Sequence, residues 1–162
     1  MSTTSRNTRA LALLRIAVGV LFLIFGEYKV FGTQFALGGG FQFWINRFIQ
    51  HGAYPFMLGV LKNFVLPNGG VIAFLVAYGE LCIGIALTAG LLVRTASVFG
   101  LIFMLSLLFA SDYPGPNPAF WQYFGASLAH SVLALCMAVF VIGDAGEVLS
   151  IRPYLKRFRR KK

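Results

Sequence analysis

The run "ALALLRIAVGVLFLIFGEYKVF", residues 10–31, decides the fold class. It is long enough for a membrane-crossing helix, which needs about 20 mostly apolar residues. Only Arg15, Glu27 and Lys29 interrupt it with charge. The rest of the chain extends the pattern. Of 162 residues, 58% are hydrophobic and 12% charged, whereas a soluble domain carries about 25% charged residues. Such a chain lacks the polar surface to cover itself in water, so the reading is an all-α integral membrane protein.

Three further apolar runs, at residues 71–93, 95–111 and 120–142, complete a four-transmembrane-helix bundle over residues 10–143. Residues 1–9 form a short tail and residues 32–70 a long outer loop. A cleaved signal peptide competes for the first run. That run exceeds the usual apolar region of about 7–15 residues, and no small-x-small cleavage site precedes a soluble domain. Arg94 alone separates the second and third spans, which predicts a tight helical hairpin.

Basic residues set the orientation, because they accumulate on the cytoplasmic side. Arg6, Arg9, Arg15, Arg94 and the tail from Arg152 fall on one side, and only Lys29, Arg47 and Lys62 on the other. The expectation is a multi-pass plasma (inner) membrane protein with both termini cytoplasmic. The tail "RPYLKRFRRKK" supplies most of the net charge of +9. Beside a span it suits the anionic heads of the lipid bilayer rather than nucleic acid.

The outer loop carries its own helical pattern. "FQFWINRFIQ" puts Phe41, Trp44, Ile45, Phe48 and Ile49 on one face, as an interfacial helix does. "PFMLGVLKNFVL", opened by Pro55, is too short to span and reads as interfacial or re-entrant. After the fourth span, Asp144 and Glu147 form a D-x-x-E capping box, which predicts a short amphipathic helix at the start of residues 144–162. Cys82 and Cys136 form no C-x-x-C pair and read as small buried hydrophobes. Small residues four apart, such as Ala73 with Ala77 and Ala96 with Gly100, favour close helix packing.

An ionisable group inside a span is costly and marks function by default. Glu27, Lys29, Glu80 and His130 are the candidates. Arg15 lies near the inner end, where it can snorkel, and Asp112 lies at the wet outer end. Residues two apart on a helix do not face each other. Lys29 is therefore expected to reach the outer headgroups while Glu27 turns into the bundle. By helix rise, Glu80 and His130 lie at similar depth on separate helices. The expected site is a polar pocket in the outer half, with Glu80, His130 and Glu27 as catalytic groups. Lys29, Tyr28, Tyr78, Tyr123 and Ser127 would bind the ligand. The bland alternative is that Glu80 and His130 bond only to each other and fix the packing. The spacing gives no metal site and no second axial ligand for haem.

The chain resembles the DoxX family of small four-helix membrane proteins. The resemblance rests on Arg15, Gly26 and Lys29 of the first span, an R…G-x-x-K pattern. It rests also on Glu80, Gly90 and Arg94 of "YGELCIGIALTAGLLVRTAS" and on "GDAGEVLSI" after the fourth span. It implies a quinone-linked redox role, as in the membrane subunits of thiosulfate:quinone oxidoreductase, with quinone as the ligand and a partner protein supplying the redox centre. The alternative it implies is a non-catalytic scaffold or assembly factor for a redox or stress-response complex. Four spans without an internal repeat are few for an alternating-access transporter. Whether the chain is an enzyme and whether it forms a homo-oligomer stay open on this reading.

Overall fold

The computed structural model describes residues 3–124, 128–143 and 145–151. Among them there is no strand. Helix α1 spans Thr3–Phe31. Three short helices follow: α2 (Thr33–Ala36), α3 (Gly40–His51) and α4 (Pro55–Val60). The last runs on as a π-helical turn, Leu61–Val65, in which the Leu66 N–H donates to the Leu61 carbonyl (2.9 Å). Then come α5 (Gly69–Ala89), α6 (Val93–Ser111) and α7 (Ala129–Ile142), with a 3₁₀ turn, Phe120–Phe124, before the last.

Three of these helices are long and apolar enough to cross a membrane: Arg6–Phe31 within α1, Gly69–Ala89 and Val93–Ser111. The fourth expected span is represented by α7, whose 14 residues rise about 21 Å against a hydrocarbon core of about 30 Å.

Helices α1 and α5 run antiparallel and pack closely, as do α6 and α7, and α5 joins the two pairs. Glycine makes the first contact possible. A Cβ on Gly26 would lie 2.6 Å from the Leu81 nitrogen, and one on Gly84 would lie 2.6 Å from the Leu23 nitrogen. The two backbones thus touch where side chains would normally hold them apart. The turn from α5 to α6 is set by Gly90 at φ 73°. The Leu91 N–H donates to the Ala86 carbonyl (2.9 Å) and the Gly90 N–H to the Leu87 carbonyl (3.3 Å). This is a Schellman closure, which needs the left-handed conformation that glycine adopts without cost.

Two apolar cores result. The basal one, towards the N-terminus of α1, gathers Val18, Phe22, Leu87, Met137 and Phe140 from α1, α5 and α7, with Met104 of α6. The apical one gathers Phe41, Ile45, Leu61, Ala73 and Ala110 beneath the short helices. Helix α3 thus forms where its apolar spacing predicts. Phe41 and Ile45 turn inward, while Trp44 is 48% exposed and shielded by no core.

Three expectations need correction. Residues 145–151 form turns and bends rather than a helix. Leu149 takes φ 51°, outside the helical region, and Asp144 of the capping box lies outside the described residues. Cys82 is exposed on α5 rather than buried, on the side of α5 away from Gly84 and α1. Arg15 does not snorkel to a surface: its exposure is 0%.

Candidate functional site

Each end of the α1–α5 pair is tied by a cation of α1. At the basal end, Arg15 passes beneath the α5–α6 turn and meets the segment that follows α7. Its Nη1 donates to the Ala145 carbonyl (2.9 Å) and its Nη2 to the Leu149 carbonyl (2.6 Å). A Cβ on Gly90 would lie 2.7 Å from Arg15 Nη1 and 2.7 Å from Ser150 Cβ. Gly90 is therefore required both by its φ and by this crowding. Ser150 Oγ donates to the Gly90 carbonyl (3.1 Å), and the Ile151 N–H to the Ala89 carbonyl (3.0 Å). Residues far apart in sequence are thus knotted around one guanidinium, whose planar fork suits several carbonyls at once.

The second tie lies between the two apolar cores. Lys29 Nζ meets Glu80 Oε1 at 2.5 Å. The ammonium also lies 5.2 Å from the ring centre of Phe35 and 6.0 Å from that of Phe103, within the range of cation–π attraction. Phe35 belongs to the apical layer and Phe103 to α6. One cation thus holds four elements: α1, α2, α5 and α6. The Glu80 side chain is 6% exposed and that of Lys29 19%. Glu80 Oε2 is buried and accepts no hydrogen bond. A buried carboxylate oxygen without a donor is expensive, because its desolvation is not offset.

This pairing reverses the expected roles. Lys29 points into the bundle because it lies three residues after Gly26, on the face that meets α5. There it is engaged by Glu80 and by the ring of Phe35 rather than reaching outwards. Glu27 lies on the opposite side and is exposed. The spacing G-x-x-K carried the signal. The side chain that lets a neighbouring helix come closest marks the buried face, and a lysine three residues later shares it.

His130 also finds another partner. Its Nδ1 lies 2.9 Å from Asp112 Oδ2, and Ser111 Oγ donates to Asp112 Oδ1 (2.8 Å). His130 falls in the first turn of α7 because that helix starts at Ala129, not near residue 120. From Phe103, beside Lys29, to Asp112 the helix rises about 13 Å. The two polar pairs therefore occupy different depths rather than one pocket. Nearby, the Tyr54 hydroxyl donates to the Tyr123 carbonyl (3.2 Å), and the Tyr54 N–H to the Phe109 carbonyl (2.9 Å). Burial first, and then the neighbouring Tyr123, Asp112 and Tyr113, raise the Tyr54 phenol above its ordinary pKa.

The aromatic candidates do not converge on the ion pair. Tyr28 is 70% exposed, Tyr78 51% and Tyr123 43%, and Ser127 lies outside the described residues. The residues missed from sequence were Phe35 and Phe103 as rings around the ammonium, and Arg15 as a buried anchor.

A family model, DoxX, matches residues 10–112, from the start of the apolar part of α1 to the end of α6. The chain belongs to the DoxX family. The matched stretch contains Arg15, Gly26, Lys29, Glu80 and Gly90, so the α1 and α5 halves of both ties fall within the DoxX domain. The residues 145–151 that Arg15 binds lie beyond it. No curated protein and no solved structure matches this chain.

Proposed function

We propose that this DoxX protein is the membrane subunit of a quinone-linked redox complex, with Lys29 and Glu80 as its ligand-binding and proton-handling groups. One observation carries the reading: a buried carboxylate oxygen, Glu80 Oε2, stands without a hydrogen-bond donor beside a partly exposed ammonium. A quinone fits such a donor set. Its carbonyl accepts from an ammonium, and its reduced hydroxyl donates to a carboxylate. When bound, a quinone supplies carriage of two electrons and two protons through lipid. On this reading a partner protein would deliver the electrons.

The chain's own residues do the rest. Lys29 would orient the head group, and Phe35 and Phe103 would shield it from water. Glu80 would take or give the proton at Oε2. Asp112 and His130, about 13 Å further along α6 by helix rise, would exchange protons with the outer aqueous phase. The topology that goes with this has four spans, both termini in the cytoplasm and the apical layer outside. The basic tail, whose Arg152 to Lys162 lie outside the described residues, would meet anionic lipid.

The test is quinone content. Purified protein should retain host quinone, and Glu80→Gln should lose most of it while remaining folded. Full retention in that variant removes Glu80 from the site. A second reading, a non-catalytic scaffold, is favoured by the Arg15 knot, whose bonds to the Ala145 and Leu149 carbonyls tie α1 to the segment after α7. It requires Glu80→Gln to leave both quinone content and partner binding unchanged.

A further inference from the structure

Glu27 is the polar group that neither tie uses. It is exposed, and no hydrogen bond or ion pair to it is found among the described residues. Its depth follows from its neighbour. Gly26 packs against the backbone of Glu80 and Leu81, so Glu27 sits at the level of the Lys29–Glu80 pair. The surface above it is largely apolar, with Thr33 and Gln34 the exposed polar residues of α2. Phe31 is 73% exposed and Leu37 72%, and on α5 Val71 is 67% and Leu75 68% exposed. From Glu80 to Val71 the helix rises about 13 Å towards the apical end. The exposed carboxyl thus lies beneath a collar of hydrocarbon-facing side chains, where a lipid headgroup would have to sink to reach it. A charged side chain within a span is costly and is ordinarily paired.

We propose that the outer face of α1 around Glu27 docks a transmembrane helix of a different protein, one that presents a lysine or arginine at this depth. Charge complementarity selects the occupant. Among the described residues, a second copy of the chain offers nothing suitable. Lys29 is committed to Glu80, and Arg6, Arg9, Arg15 and Arg94 lie at the basal ends of their helices. Arg47 and Lys62 belong to the apical layer. The face itself suits a helix. Leu13, Val20, Ile24 and Phe31 line it with Glu27, at spacings that recur on one side of α1. Tyr28 and Tyr78 add phenol groups at the same level, able to bond across an interface as exposed tyrosines in lipid otherwise would not. The inference does not require a quinone.

The experiment places a benzoylphenylalanine photo-crosslinker at Tyr28 in the full chain, in the native membrane. A control crosslinker goes at Ile102, exposed on α6. The expected result is a protein adduct from position 28 and none from 102. Mass spectrometry should identify the cross-linked peptide as an apolar helix containing Lys or Arg. Glu27→Lys should cut the adduct by about tenfold or more, equivalent to about 1.4 kcal/mol. If that variant fails to fold, judged by detergent unfolding, Glu27→Gln takes its place with a smaller cut in the same direction. Adducts only to lipid, adducts only between copies of this chain, or an adduct indifferent to Glu27 would each overturn the proposal.

Discussion

The two ends of the α1–α5 pair solve one problem differently. Each places a cation of α1 in an apolar setting. At the basal end, Arg15 is wholly buried and donates to carbonyls that follow α7. At the apical end, Lys29 is partly exposed, its partner is a carboxylate, and one oxygen of that carboxylate is left over. The Ala145 and Leu149 carbonyls fasten Arg15 to the backbone after α7. A carboxylate with a spare oxygen can also take a proton or bind a further donor. The first arrangement holds the fold together, and the second leaves chemistry available.

The sharpest way to break this contrast is at Arg15. Arg15→Ala removes the donors to one buried and one part-buried carbonyl and opens a cavity, so the expected destabilisation is about 3–5 kcal/mol. Unfolding in detergent should read it, and a loss under about 1 kcal/mol would show that the knot is not structural. Gly90→Ala acts on the same knot through φ and crowding against Arg15 and Ser150. About 1–3 kcal/mol is expected, from the same unfolding curves.

At the apical end the expected signs diverge. Lys29→Met alone strands the Glu80 carboxylate and should destabilise by about 3 kcal/mol or more. The double variant Lys29→Met/Glu80→Met should recover most of that loss, because replacing both members of a buried pair is often neutral. A double variant as unstable as the single one would make this end architectural too. The Asp112–His130 pair is somewhat more exposed than Lys29–Glu80, and Asp112→Asn should cost about 1 kcal/mol. The smallest effect concerns Tyr54. A free phenol ionises near 10, and the folded one ionises later because of partial desolvation first and then of Tyr123, Asp112 and Tyr113 beside it. The folded state therefore binds the proton more tightly, and stability should fall as pH rises above about 10. In Tyr54→Phe that fall should shrink.

How much of this was legible in the sequence follows from the same contrast. Hydrophobic run lengths gave the helical class and α1, α5 and α6, because lipid demands long apolar segments whatever they pack against. The apolar face of α3 was legible from its spacing for a similar reason. Partner choice was not. Run length says nothing of which side of α1 meets α5, and so it cannot tell the face of Glu27 from that of Lys29. Gly26 decides that question through helix contact alone. His130 was misjudged in depth because a run of apolar residues from 120 hides a 3₁₀ turn and a late helix start at Ala129. Arg15 was misjudged because its acceptors lie in residues 145–149, which periodicity cannot bring near it.

The most direct measurement is the quinone content of the Lys29→Met/Glu80→Met protein, purified beside wild type and compared at matched folded fraction. The expected result is a bundle that unfolds close to wild type yet carries little or no quinone. A folded double variant with wild-type quinone content would contradict the distinction between a structural end and a chemical one.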